Sequence, residues 1–528
     1  MILTQEQKTI GSNNFLNALG AIRRDFLLKS MQASRIGPYY FGYGAPPKEP
    51  VRAAIVGTGN EGCEAMIRQS SPEYLRFVAY FDIRPTQQKR AAGQFRKSYG
   101  AAEGDKVRLV ETWKDLLGNK EIEAIVIATP LWTHAQLAVE AMRAGKHVLC
   151  EKLMARTITD AKEMVRVGEQ TKRILSIGHQ RHYSTLYANV LEVVKSGILG
   201  EIKHIRALWH RNNTWEYRPS EFNTGNEFAR AHLEDKTVPR RFVNGEEYIL
   251  SDGWCPPIPS EDQGKESEYK KYGYDSTEEL VRWRLFNRTG GGLMAELGSH
   301  QLDACSLFLN HAHPLAVTAF GGHQYYRTRF EKNRREAHDH VYCLFEMPGD
   351  VTLTYTSINT NSLHGYGEVL YGTKGTLAVM NERDIFLFKE MSPGSPKGPY
   401  EQPVGSIKSA DGKWALTPAV NSNLSPDGVL ADAALGRASW FVPPGESAPF
   451  SNRGYHEEIE AFADAIRNPD HKVRCDGRVA LADTVMALAA NVAMAERKNE
   501  RMEFQAKWYD PAAPEVPDPR LTNGVAGR

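Results

Sequence analysis

Val51-Arg52-Ala53-Ala54-Ile55-Val56-Gly57-Thr58-Gly59-Asn60-Glu61-Gly62 runs an apolar segment into a G-x-G-x-x-G turn, and Phe77-Val78-Ala79-Tyr80-Phe81 then leads to Asp82. Strand, glycine turn, helix and second strand form the opening unit of a doubly wound parallel sheet. Each glycine has its own task. Gly57 permits the tight bend, Gly59 lets the backbone approach a pyrophosphate, and Gly62 lets the helix pack closely on the strand. The start of that helix aims N–H groups at an anion and carries roughly half a positive charge. Thr58, Asn60 and Glu61 complete the turn, and Asp82 stands where an acid takes ribose hydroxyls. A dinucleotide site is therefore expected. The Asp82 carboxylate would repel a 2′-phosphate, whereas Arg84, two residues on, could pair with one, so NAD is expected ahead of NADP.

Ala124-Ile125-Val126-Ile127-Ala128 and His147-Val148-Leu149-Cys150 read as later parallel strands, with a helical pattern from His134 to Ala144 between them. Ligands of such sheets sit beyond the carboxyl ends of the strands. Thr129-Pro130 and Glu151-Lys152-Leu153 follow those ends and so share the crevice of the glycine turn. His179, Gln180, Arg181, His182 and Tyr183 follow a further strand, Ile174 to Ile177, and are candidates to line it as well.

Beyond Gly200 the pattern changes to short alternating segments, Ile202 to Trp209, Val341 to Phe345, Val351 to Tyr355 and Thr376 to Met380, which predict an antiparallel sheet. The expected fold is α/β plus α+β: a doubly wound parallel sheet followed by a large, mostly antiparallel open sheet with flanking helices. Residues 1–50 read as an arm and linker, 51–178 as the dinucleotide-binding domain, and 179–508 as a substrate and oligomerisation domain with insertions near 211–282 and 392–446. Prolines at 511, 514, 517 and 519 predict an extended tail over 509–528.

With Lys+Arg 65 against Asp+Glu 64, the formal charge is +1, so no global field recruits nucleic acid or an anionic membrane. The six cysteines form no C-x-x-C pair, which fits reduced thiols rather than a disulfide framework or zinc site. No run reaches the roughly 18 consecutive apolar residues of a membrane span. Small molecules and copies of the chain itself are the expected partners, and the cytoplasm the expected compartment. One alternative is periplasmic: Arg23-Arg24-Asp25-Phe26-Leu27-Leu28-Lys29 looks like a twin-arginine export segment, although no apolar stretch follows it. The other reading of this region is an amphipathic helix docked through Phe15, Leu19, Ile22 and Phe26, capped by Ser12 or Asn13.

A second glycine turn, Gly290-Gly291-Gly292, feeds Leu293-Met294-Ala295-Glu296-Leu297-Gly298-Ser299-His300-Gln301-Leu302-Asp303. On a helix, Glu296, His300 and Asp303 share nearly one stripe. Histidine, with a reference pKa near 6.5, suits reversible acceptance of an alcohol proton, and a neighbouring carboxylate would orient the ring. Lys152 is placed to polarise the substrate oxygen. Trp209, Trp215, Trp254 and Trp283 flank or lie within the first insertion, with Tyr217, Phe222, Tyr248, Tyr269, Tyr272 and Tyr274 nearby; they offer flat faces for a sugar or a small core for the insertion itself. His338-x-His340 would put two imidazoles on one side of a strand, but no third ligand is evident, and no metal is expected.

The glycine motif, Thr129-Pro130 with His134, Ala144-Gly145-Lys146-His147-Val148-Leu149-Cys150-Glu151-Lys152, and Glu296-Leu297-Gly298-Ser299-His300 together resemble the Gfo/Idh/MocA family of NAD(P)-dependent oxidoreductases. The resemblance implies a Rossmann domain, NAD as cofactor, sugar or cyclitol substrates, and pairing of open sheets in a homo-oligomer. It assigns Lys152, Glu296 and His300 to catalysis and substrate binding. It places Thr129, Pro130, His134, Glu151, Lys152 and Gln180 at the cofactor, beside Gly57 to Gly62, Asp82 and Arg84. His182, Tyr183 and Trp283 are further substrate candidates. Leu153 stands where the family's Glu-Lys-Pro has proline, and Glu296 where it has aspartate.

The activity expected is hydride transfer between NAD and a secondary alcohol of a sugar-like substrate. Two alternatives stand beside it. One is a glycosidase that keeps NAD bound and oxidises, eliminates, hydrates and reduces in turn, with His182, Tyr183 and His300 as acid/base candidates. The other is a nucleotide-binding protein without turnover.

Overall fold

A computed structural model of the protein describes residues 3–30, 46–221, 227–323, 325–326, 335–390, 404–408, 414–418, 454–496 and 500–517. Six parallel strands, β1 (Val51–Val56), β2 (Leu75–Phe81), β3 (Arg108–Leu109), β4 (Ala124–Ile127), β5 (His147–Glu151) and β6 (Leu175–Gly178), form one sheet in the order β3-β2-β1-β4-β5-β6. The order reverses between β1 and β4, which opens the crevice beyond their carboxyl ends where a ligand of such a sheet sits. β1 and β4 carry almost no polar side chain because helices cover both faces of the sheet; Ala53 to Ile55 and Ala124 to Ile127 are fully buried.

After β7 (Ile202–His210), the insertion supplies β8 (Thr214–Tyr217), β9 (Arg240–Val243) and β10 (Glu246–Asp252), a small antiparallel sheet in the order β8-β10-β9. Thus the region read as an insertion carries a small sheet of its own. The main chain of the second domain continues with β11 (Ala316–Gly322), β12 (His340–Met347), β13 (Val351–Ile358), β14 (Tyr366–Gly372), β15 (Gly375–Met380) and β16 (Asp384–Lys389). A hairpin, β17 (Val404–Lys408) with β18 (Trp414–Pro418), and β19 (Met502–Glu503) complete the strands among the described residues. The large sheet has the order β16-β15-β14-β7-β13-β12-β11-β19 and is antiparallel except where β7 meets β13. The rest of the second insertion, around β17 and β18 in 392–446, lies outside the described residues.

The helix Gly477–Glu496 packs between the helix Ile158–Thr171 and the large sheet, and ties the two domains together. Its segment Gly477–Ala495 is long and apolar enough to cross a membrane by length and composition, but 78% of it is buried inside the protein. The tail is anchored by the buried Lys162, whose ammonium donates to the carbonyls of Lys507, Ala513 and Glu515 at 2.8, 2.8 and 2.7 Å.

The arm is a helix, Gln5–Ser30, laid against β16: Phe15 and Leu19 are buried, and Asn14 Nδ2 donates to the Leu387 carbonyl at 3.0 Å. It starts earlier than the cap at Ser12 or Asn13 would give. Thr4 and Gln7 cap each other reciprocally, Thr4 N to Gln7 Oε1 at 2.9 Å and Gln7 N to Thr4 Oγ1 at 3.2 Å. The side chains of Arg23 to Lys29, the export-like stretch, lie outside the described residues. All six cysteines are buried free thiols.

Candidate active site

The glycine turn fits a dinucleotide. Gly57 has φ +85°, and a Cβ there would lie 2.5 Å from the Ala128 carbonyl oxygen. At Gly62 an added Cβ would run into the Gly57 carbonyl, whereas at Gly59 it would meet nothing within 4 Å, so that face is open to a ligand. The helix begins at Glu61, and Cys63 N donates to the Gly59 carbonyl at 3.0 Å, which leaves the amides of Gly59 to Gly62 ahead of the helical ladder. Asp82 Oδ2 accepts from Thr58 N and Oγ1 at 2.7 and 3.1 Å, and Oδ1 from Arg84 N at 2.9 Å. A carboxylate offers about four acceptor positions, so one remains for a ribose hydroxyl. Burial raises the Asp82 carboxyl against the pull of these hydrogen bonds.

The walls of the crevice are held together by His134. Its Nδ1 lies 2.9 Å from the Leu153 carbonyl and its Nε2 2.9 Å from the Thr129 carbonyl, so it joins the Thr129-Pro130 loop to the Lys152-Leu153 loop. Burial disfavours the charged ring, and the neutral imidazole, with one N–H, donates to one of the two carbonyls at a time. Thr133 Oγ1 donates to Thr129 Oγ1 at 2.8 Å, and Arg90 Nη1 holds Asn60 Oδ1 at 2.5 Å.

At the other end of the crevice the Lys152–Leu153 peptide is cis. Lys152 Nζ donates to the Glu296 carbonyl at 2.9 Å. Met294–Gly298 is wound as a π-turn, a feature common at functional sites, and runs directly into the helix Ser299–Phe308 that bears His300. The turn that follows the three glycines therefore brings Lys152 to the foot of the His300 helix. Glu151 Oε2 accepts from Lys152 N at 3.2 Å; burial, and then the charge of Glu61, push the Glu151 carboxyl up to about 8.

Glu296 does not orient His300, as the i,i+4 spacing suggested. Its Oε2 accepts from Arg284 Nε at 2.5 Å. Burial alone would raise this carboxyl, but Arg284, Lys152 and Arg211 outweigh it and hold it below the ordinary value. His300 is fixed from behind, where the buried Arg181 donates Nη1 to the His300 carbonyl at 2.5 Å and is itself paired with Glu368 at 3.0 Å and Glu382 at 2.6 Å. The His300 ring lies 5.4 Å from that of Trp209, which stacks on Tyr366 at 4.5 Å.

Asp303, the last member of the expected stripe, pairs with His182 instead: Nε2 to Oδ1 is 2.7 Å. His179 Nε2 lies 3.2 Å from Asp483 Oδ2 in the same buried layer, and burial lowers His179 to about 4. Tyr183 faces away from the crevice. Its hydroxyl accepts from the amides of Arg474 and Cys475 at 3.0 and 3.3 Å, so this substrate candidate is corrected to a support for the helix start at 474–477. Gln180 is buried. Among the described residues, His182, Asp303 and Cys475 bring ligand-type atoms within 4.8 Å of one another, but the His182–Asp303 hydrogen bond already accounts for that closeness. His338 and His340 do not converge: the first packs on His323 at 5.0 Å, and the second pairs with Asp339 at 2.6 Å.

The insertion reaches both ends of the crevice, which the sequence did not reveal. On the β2 side Tyr272 packs on Phe81 at 6.1 Å, and on the β4 side Tyr274 packs edge-on to Trp132 at 5.3 Å, with Arg288 5.0 Å over the same ring. Tyr269 and Tyr274 are buried with Leu280 in a cluster that Ile83 and Trp132 join, Trp254 is buried in the main core, and Trp215 is 55% exposed. Phe222 lies outside the described residues. Arg284 lies 4.2 Å over the Trp283 ring, so this candidate substrate face is covered by the residue that anchors Glu296. Arg284, Asp262 and Asp483 carried no motif that would have singled them out.

Residues 51–179 match the model of an oxidoreductase family with an NAD-binding Rossmann fold, and 266–378 match the GFO/IDH/MocA C-terminal domain. A curated glycosyl hydrolase family 109 protein of Shewanella putrefaciens is 26% identical over 230 residues, 41% of this chain and 49% of the relative. The chain thus spans about half the length (49%) of the curated relatives it matches. Among solved structures, levoglucosan dehydrogenase in complex with NADH and levoglucosan superposes with TM-score 0.57 at 14% identity, covering 88% of this chain and 100% of that one. An inositol dehydrogenase homolog from Azotobacter vinelandii, complexed with NADH and myo-inositol, gives 0.54 at 16% identity, covering 87% and 99%. At these identities the likeness is one of fold.

Proposed function

The chain belongs to the Gfo/Idh/MocA family of oxidoreductases through both of its domains, and from that premise we propose that it moves a hydride between NAD and a secondary alcohol of a sugar, cyclitol or related derivative. The observation that carries this reading is the Lys152 ammonium on the Glu296 carbonyl, at the foot of the helix that bears His300 and beside the crevice of the glycine turn. NAD, when bound at Gly57 to Gly62 and Asp82, supplies the hydride acceptor. His300 takes the hydroxyl proton, and Lys152 polarises the oxygen as it becomes a carbonyl. Glu296, kept ionised by Arg284, sets a negative charge beside the lysine. The Trp209–Tyr366 stack next to His300 offers a flat face to a sugar ring.

Two observations favour a second reading, the redox-assisted glycosidase. The curated relatives bear a glycosyl hydrolase name, and the insertion packs on Phe81 at the end of β2 and on Trp132 after β4, contacts that would slow the exchange of a bound cofactor. Purified protein with NAD decides between them. Growth of the NADH band with a sugar or cyclitol supports the dehydrogenase; cleavage of an aryl glycoside while that band stays flat overturns it. Absence of both activities, with NAD still bound, would leave only nucleotide binding.

The outer face of the large sheet exposes Phe320, Tyr342 and Leu344, with Phe320 directly opposite Tyr342 on paired strands. This apolar patch supports pairing with a second copy of the chain. Light scattering that gives a monomer would rule that out. Buried free thiols support a reducing, cytoplasmic setting.

A further inference from the structure

Asp262 comes from the insertion yet is fully buried against the start of the helix Pro85–Tyr99. Its carboxylate gathers four donors: Arg84 Nε at 3.0 Å and Nη2 at 2.8 Å, Thr86 N at 3.2 Å, and Thr86 Oγ1 at 2.7 Å. A guanidinium, a backbone amide in the first turn of a helix and a hydroxyl, converging on one point, make an anion cradle. The cradle adjoins Asp82, whose own Oδ1 accepts from Arg84 N at 2.9 Å. It therefore lies where a phosphate on the ribose 2′-oxygen would be received, since an arginine near the acid after the second strand is the usual partner of that group.

We propose that Asp262 is a specificity-determining residue: it occupies the 2′-phosphate cradle as a built-in anion, so the crevice accepts NAD and turns NADP away. The inference rests on the dinucleotide reading of the crevice and adds the reason for its preference. Two effects act together. The carboxylate fills the space, and it neutralises the arginine that would otherwise attract the phosphate. The neighbouring pair Lys89–Glu261, 3.2 Å apart, fastens the same loop at the surface. The sequence gives no hint of this, because Asp262 lies 178 residues from Arg84.

Calorimetry on the full chain with NAD and NADP, for the wild type, Asp262→Ala, Arg84→Ala and the double variant, tests the proposal. Asp262→Ala should tighten NADP by at least about tenfold relative to NAD, the worth of one hydrogen bond to a charged group. Arg84→Ala should erase that gain in the Asp262→Ala background. Asp82 is present in every arm and cancels. An unaltered NADP-to-NAD ratio in Asp262→Ala, or a gain that survives loss of Arg84, overturns the proposal. Removing Asp262 leaves Arg84 without its partner, so Asp262→Ser is carried as a second variant, and melting is read with and without inorganic phosphate. Phosphate should stabilise both Asp262 variants more than the wild type; equal stabilisation counts against the cradle. If the wild type binds neither coenzyme, the NAD reading fails, while the phosphate comparison still judges the cradle.

Discussion

Replacing Gly57 and Gly59 separately by alanine distinguishes a glycine required by the chain from one required by a ligand. At Gly57 the backbone sits at φ +85°, and the new Cβ would stand 2.5 Å from the Ala128 carbonyl oxygen. The left-handed backbone costs about 1–2 kcal/mol, and relief of the clash about 1–3 kcal/mol. Gly57→Ala should therefore destabilise the protein by about 2–5 kcal/mol and lower its melting temperature by about 2–5 °C. At Gly59 the added Cβ meets nothing within 4 Å. Gly59→Ala should melt like the wild type without cofactor, because the methyl enters only the space through which a pyrophosphate approaches. With NAD at about 100 times its dissociation constant the wild type gains about 2.7 kcal/mol, and a tenfold weaker variant at the same concentration gains about 1.4 kcal/mol. Thermal melts with and without NAD read both effects. A Gly59→Ala protein stabilised by NAD as fully as the wild type would refute the assignment of that face to the pyrophosphate.

Lys152→Met and His300→Ala should each lower turnover by at least about a hundredfold, the low end of general acid–base catalysis, with NAD affinity kept within a few-fold; loss of NAD binding on calorimetry would place these residues in the cofactor site alone. Glu151, raised to about 8 from an ordinary 4.5, favours its neutral form in the fold, so its contribution to stability is complete below pH 4.5 and is lost as pH rises towards 8. Denaturant melts between pH 5 and 9 should fall less steeply for Glu151→Gln, and identical slopes would contradict the burial argument. Lys162→Met should release the tail, since each carbonyl of Lys507, Ala513 and Glu515 left without its donor costs about 1–3 kcal/mol; hydrogen exchange over 507–515 should rise, and wild-type protection there would sink the idea.

Local rules made the cofactor half of the crevice readable. The spacing of Gly57, Gly59 and Gly62 and the distance to Asp82 are properties of neighbouring chain, and the geometry follows them directly. The far half was readable only as a set of residues. Lys152 and the turn before His300 meet as expected, but the partners of Glu296 and Asp303 do not follow from helical spacing. Helical spacing says which side chains share a stripe. It does not say that a π-turn intervenes at Met294–Gly298, or that Arg284 and His182 compete for the two acids from other elements. Tyr183 was misplaced for a related reason: a residue after a strand end has two directions to take, and the unpaired amides of Arg474 and Cys475, far along the chain, captured its hydroxyl.

The glutamate at 296 and the arginine at 284 account for each other. A glutamate carries one methylene more than the aspartate it replaces, and that reach ends on Arg284, which follows the insertion and lies within the matched C-terminal domain. Without Arg284 the carboxyl would be a buried acid with burial raising its pKa; with it, and with Lys152 and Arg211 near, the group stays ionised. The insertion itself delivers Asp262 to Arg84. In both places a residue distant from the motif supplies the opposite charge to a residue of the crevice. An insertion that served only as cover would place an apolar side chain at the Arg84 contact. Arg284→Met should accordingly raise the Glu296 carboxyl and shift the acid limb of the pH–rate profile upward, whereas an unshifted limb would mean that Lys152 and Arg211 suffice to hold the charge.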